Sequence, residues 1–236
     1  MKPIEEPHTP NASRRDFLLR AGLAAGAAAL IGNPSAVRAD ESEKVSPPED
    51  LMREHGVLKR ILLVYGEALR RMEAQEELPP EPLADSAKLI RTFIEDYHEK
   101  LEEDYLFPRF KKAGKLVELV DVLLQQHQVG RRLTDITIRH STVRGLKNTD
   151  DRHELAHSMR QFIRMYSPHE AREDTVLFPA FHGIVSAHEY DSLGEEFEKK
   201  EDELFGEDGF FKVVDQVAEI EKKLGIYDLS KFTPRI

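Results

Sequence analysis

The chain contains no cysteine and no tryptophan. The first absence excludes disulfides, thiolate metal sites and cysteine nucleophiles together, so any metal must be held by His, Asp and Glu. That donor set suits iron, manganese or zinc, with imidazole plus carboxylate typical of non-haem iron. Alternating runs of β-branched residues are nearly missing, which excludes a sandwich or barrel. A large positive charge is also missing: the net charge of −10 over 236 residues leaves no basic face for nucleic acid. No apolar run approaches the roughly 20 residues of a membrane span. What remains is a charged, helix-rich composition and an all-α fold class.

The opening residues read as an address. Ser13-Arg14-Arg15-Asp16-Phe17-Leu18 is followed by an Ala- and Gly-rich apolar run from Ala21 to Ile31, then by Val37-Arg38-Ala39. This looks like a twin-arginine export signal (1–39) with cleavage after Ala39, giving a periplasmic protein with no stable membrane span once the signal is removed. Five basic and three acidic residues fall in that segment, so the rest carries about −12. Such signals resemble those that export proteins already folded around a cofactor.

After a polar linker (40–48) the pattern turns helical. A first helix is expected from just after Pro47-Pro48 to about Gln75, with Leu51, Met52, Leu58, Leu62 and Leu69 sharing a stripe with His55. A second runs from about Leu83 to Phe107, with a kink or stop near Pro108. A third spans roughly Lys115 to Val143, placing Leu116, Val120, Leu123, Leu124 and Ile138 on the face of His127. Gly145 to Asp150 is read as a turn, and a fourth helix covers about Asp151 to Leu177. Ser186-Ala187-His188-Glu189 is a capping box for a fifth helix, and a sixth covers about Phe210 to Leu224. The expected architecture is an up-down four-helix bundle (49–181) with two further C-terminal helices (182–236).

The chemistry lies in an internal repeat. His98-Glu99-Lys100-Leu101-Glu102 and His169-Glu170-Ala171-Arg172-Glu173 share the pattern HExxE…LFPxF at a displacement of 71. Leu51, Met52, His55, Val57 and Arg60 correspond to Leu123, Leu124, His127, Val129 and Arg132 at a displacement of 72. Two helix pairs thus each contribute a lone His and a His-x-x-x-Glu. Residues four apart project from one side of a helix. A carboxylate can bridge two cations while a neutral imidazole fills one position on one cation. The candidate metal ligands are therefore His55, His98, Glu102, His127, His169 and Glu173, a dinuclear site of matched halves.

This set resembles the hemerythrin family, specifically its HHE cation-binding branch, over about Glu49 to Phe181. The resemblance implies two non-haem iron ions, a di-iron centre with Glu102 and Glu173 bridging and the four His as terminal ligands; manganese or zinc are secondary candidates. The closing Gly225-Ile226-Tyr227-Asp228 resembles the tail of longer bacterial members. Two departures stand out. Oxygen carriers of the family place a further His one turn after the third-helix His, where this chain has Arg131. Their last carboxylate is an Asp five residues after its His, where Glu173 is four after His169. Both weigh against reversible dioxygen carriage.

Competing patterns fit less well. His153-Glu154-Leu155-Ala156-His157 matches the HExxH of zinc proteases, but at about 100° per residue both imidazoles face away from His169. The ferritin-like Glu-x-x-His is met by Glu95 and His98 and fails at Tyr166 before His169. His8, His140, His182 and His188 read as surface or linker residues, Tyr97 and Tyr166 as packing groups, and the run from Glu196 to Glu203 as a solvated face. Two functions follow: a protein that binds dioxygen or nitric oxide or senses redox state, and, as the alternative, a di-iron oxidoreductase acting on peroxide, nitric oxide or ferrous iron, or an iron-holding protein. With no acid–base pocket legible, the binding protein is the expectation, and no catalytic residue is named. The expected partner is a small diatomic ligand or peroxide.

Overall fold

A computed structural model describes residues 45–234; the export signal expected over 1–39 lies outside the described residues. Helix α1 (Pro47–Ala74) starts where Ser46 accepts the Glu49 N–H and two prolines fill its first turn. It stops at Gln75, in the left-handed conformation at φ 56°. Helix α2 (80–113) ends at Gly114, φ 64°, where a left-handed cap favours glycine. Helix α3 (Val117–His140), a short α4 (Val143–Lys147) and α5 (149–181) follow, the last capped by Asn148 accepting from the Asp150 and Asp151 N–H groups. Helices α6 (Ala187–Phe205) and α7 (Gly209–Leu224) and a 3-10 turn (Leu229–Phe232) complete the described residues, which contain no strand.

Helices α1, α2, α3 and α5 form the bundle, and short connections make neighbours antiparallel. The two copies of the repeat meet where α2 and α5 end: Phe110 and Phe181, equivalent at 71 residues, are both fully buried with rings 5.9 Å apart. Each such ring stabilises the fold by about 1.5–3 kcal/mol through burial. The expected C-terminal pair is present and packs on α1 and α2. Arg60 holds Glu221 through two hydrogen bonds of 3.0 and 2.6 Å, and Ser186 caps α6 as expected, accepting from Glu189.

The structure departs from the expectations in several places. Helix α2 passes through Pro108 without stopping, and α5 passes through Pro179. In each, a π-helical stretch comes first, Glu102–Leu106 and Glu173–Leu177. A proline ring presses on the carbonyl four residues back, and the wider turn relieves that contact. Gly145 is buried inside α4 rather than in a turn; a side chain there would strike the His140 carbonyl.

Ile138 is 43% exposed, not on the His127 face. The buried seam of α3 is Val120, Leu123, His127, Gly130, Thr134 and Thr137, spaced alternately by three and four. A 3.5-residue repeat drifts relative to a straight helix and carries Ile138 outward. His140 is buried, with Nδ1 3.4 Å from Asp151 and Nε2 3.2 Å from Glu154, so it is not a surface residue. Glu201 is also buried within the charged run, accepting the Phe210 N–H.

Candidate metal centre

The ligands sit where the repeat's symmetry requires. His55 comes from the first half of α1 and His127 from the middle of α3. His98 and Glu102 lie one turn apart on α2, and His169 and Glu173 likewise on α5. All six candidate residues converge and all are buried. They fall into two groups whose donor atoms lie within 4.8 Å of one another: His55, His98 and Glu102, and His127, His169 and Glu173.

The carboxylates tie these groups together. Glu173 Oε2 is 3.4 Å from His55 Nε2 and 3.2 Å from His169 Nε2. Glu102 Oε2 is 3.4 Å from His127 Nε2 and 3.8 Å from His98 Nε2. Each carboxylate thus faces one imidazole from either half, the disposition a bridging ligand needs. Phe178 stacks on His55 and Phe107 on His127, closing the site with equivalent rings from the two copies.

All four imidazoles present Nε2 inward and Nδ1 to an oxygen acceptor. His55 Nδ1 donates to Asp174 at 2.7 Å and His98 Nδ1 to Glu54 at 2.7 Å. His127 Nδ1 donates to Glu103 at 3.1 Å and His169 Nδ1 to Gln126 at 2.8 Å. Such outer partners fix the tautomer and aim the free lone pair, as is usual around metal-bound histidine. Composition gave no hint of these four acceptors. The repeat carries the signal: Glu54 and Gln126 are equivalent at 72, Glu103 and Asp174 at 71, and each adjoins a candidate ligand.

The donor set fits a pair of cations. Both oxygens of Glu102 and of Glu173 are buried and lack a hydrogen-bond donor. A buried carboxylate without a donor is costly, and a cation between the two removes that cost. Without a cation, burial and the adjacent Glu173 carboxylate drive Glu102 well above the ordinary carboxyl range. His55, though buried, is held protonated up to about 9 by Asp174 and Glu173, while burial lowers His127 to about 4. The site is thus arranged to hold positive charge.

Arg131 reaches neither cation position. Its guanidinium bridges Glu99 and Glu103 at 2.8 Å each. Glu99 also accepts from the Tyr166 hydroxyl at 2.6 Å, and Gly130 leaves the space that hydroxyl fills. Glu95 is engaged by Thr134 and Arg91, away from the site. His153 and His157 are exposed on the far half of α5.

Fold and site together define a helical cation-binding bundle. Residues 46–140 match the Hemerythrin HHE cation binding domain family. The match ends with α3, so His169 and Glu173 enter through the repeat and the structure. The chain is 50% identical over 238 residues to "Uncharacterized protein Rv1995" of Mycobacterium tuberculosis (strain ATCC 25618 / H37Rv), covering 96% of this chain and 93% of that protein. "Uncharacterized protein Mb2018" of Mycobacterium bovis matches with the same identity and coverage. The chain belongs in one group with these mycobacterial relatives, and its residues 46–140 carry the match to the hemerythrin HHE cation binding domain. No solved structure matches it.

Proposed function

We propose that this protein is a periplasmic di-iron protein that binds dioxygen or nitric oxide, or senses redox state, at a centre bridged by Glu102 and Glu173. The observation that carries this reading is the pair of donor-less buried carboxylates facing four inward Nε2 atoms. Two His per cation and two shared carboxylates leave room on each iron for an outside ligand. When bound, iron supplies a redox-active Lewis acid. The protein's part is to hold it, orient the imidazoles through Asp174, Glu54, Glu103 and Gln126, and exclude water with Phe107 and Phe178. Export by the signal over 1–39, followed by the linker over 40–48, delivers a bundle over 49–181 with its extension over 182–236.

The test is iron analysis and an absorption spectrum of full-length protein purified aerobically. The proposal expects about two irons per chain and an oxo-bridge charge-transfer band. Protein free of iron refutes it. Sustained turnover of peroxide or nitric oxide would instead favour the oxidoreductase.

A further inference from the structure

The inner ligands of the two halves are matched, but their outer partners are not. Glu54 and Gln126 occupy equivalent positions, so the acceptor behind His98 is a carboxylate and that behind His169 a neutral amide. The second pair is also uneven. Behind His55, Asp174 uses Oδ1 for the imidazole and meets the half-exposed Lys59 only through Oδ2, at 3.4 Å. Behind His127, Glu103 gives the same Oε1 to the imidazole at 3.1 Å and to Arg131 at 2.8 Å, and its Oε2 to Lys100 at 2.8 Å. One half has two carboxylates pulling on its imidazole protons. In the other, only Glu103 is hydrogen-bonded to an imidazole, and it is shared with two cationic side chains; Glu99, 3.9 Å from His127 Nδ1, is itself held by Arg131 at 2.8 Å.

A carboxylate on Nδ1 makes imidazole a more basic, more electron-donating ligand. We infer that the two irons are inequivalent, and that the first electron given to the oxidised pair goes to the iron held by His127 and His169. The iron held by His55 and His98 is the better stabilised in the ferric state. This rests on the di-iron reading above. Each step takes one electron from an external reductant and converts one ferric ion to ferrous, with no protein bond made or broken.

The experiment uses iron-loaded full-length protein, Mössbauer spectroscopy of the diferric form and a mediated redox titration. Wild type should give two doublets of equal area and two separate one-electron steps. Gln126→Glu adds a carboxylate behind His169 and should lower the first step. Glu54→Gln removes one behind His98 and should raise the second. Both variants nearly conserve shape. Each should bring the steps together, reducing the stability constant of the half-reduced state by about tenfold, the lower end of what such partners are worth. Opposite shifts are not what loosened packing produces. Two irons per chain with a single doublet and coincident steps would overturn this inference alone, as would both variants shifting in the same direction. Absence of iron from wild type would remove the di-iron reading and this inference with it.

Discussion

Glu102→Gln should stabilise the metal-free protein and destabilise the metal-loaded one. Without a cation, burial and the adjacent Glu173 carboxylate hold the Glu102 carboxyl well above its ordinary range. The unfolded chain gives up that proton above the ordinary 4.5. The native state therefore binds the extra proton, and the resulting destabilisation grows as pH rises above that value. Each pH unit of that rise is worth about 1.36 kcal/mol. Glutamine keeps the shape without that cost, and its amide can donate to Glu173. At about 2–4 °C per kcal/mol for a domain of this size, the chelated variant should gain about 3–5 °C over wild type for each pH unit through which the penalty grows. The gain should vanish near pH 4.5–5. With metal present the order should reverse, because the variant lacks an anionic bridge and saturating metal adds several kcal/mol to wild type only. Thermal melts with chelator and with ferrous iron at three pH values test this. Equal destabilisation in both states would show that Glu102 is a structural group and refute the reasoning.

Metal uptake at pH 7 should release protons, one from His55, whose metal-free value is about 9, with Glu102, held above its ordinary range, contributing to the release. Potentiometric titration reads this directly, and apparent affinity should fall as pH falls. For the metal-free protein the His55 shift has its own sign: its stabilisation is complete below 6.5 and is lost as pH rises through about 9. Gly130→Ala should cost about 1–3 kcal/mol by pressing on the Tyr166 hydroxyl, and Tyr166→Phe in the same chain should recover part of it in a double-mutant cycle. His153→Ala and His157→Ala should leave metal content unchanged, whereas His127→Ala should lower it, by metal analysis of the purified variants.

The fold was largely legible because the repeat and the punctuation agreed. Ser46-Pro47-Pro48, Gly114, Asn148, Ser186 and Gly225 all act at helix ends through local chemistry. The seam of α3 was less legible, since His127, Gly130, Thr134 and Thr137 carry no hydrophobic signal and Ile138 does. The passage through Pro108 escaped notice because a π turn leaves no trace in residue type. The six candidate residues were legible as one lone His and one His-x-x-x-Glu in each half, recurring at displacements of 72 and 71. Their four acceptors were not, because Glu54, Glu103, Gln126 and Asp174 look like ordinary surface polar residues until the opposing helix is in place. The burial of His140 and Glu201 likewise depends on contacts with other segments.

Anomalous diffraction at the iron edge from crystals of the loaded protein tests the central claim most directly. The account predicts two peaks, one touching His55 and His98, the other His127 and His169, with Glu102 and Glu173 touching both. A single peak, or iron bound only at other side chains such as His153 and His157, would contradict it.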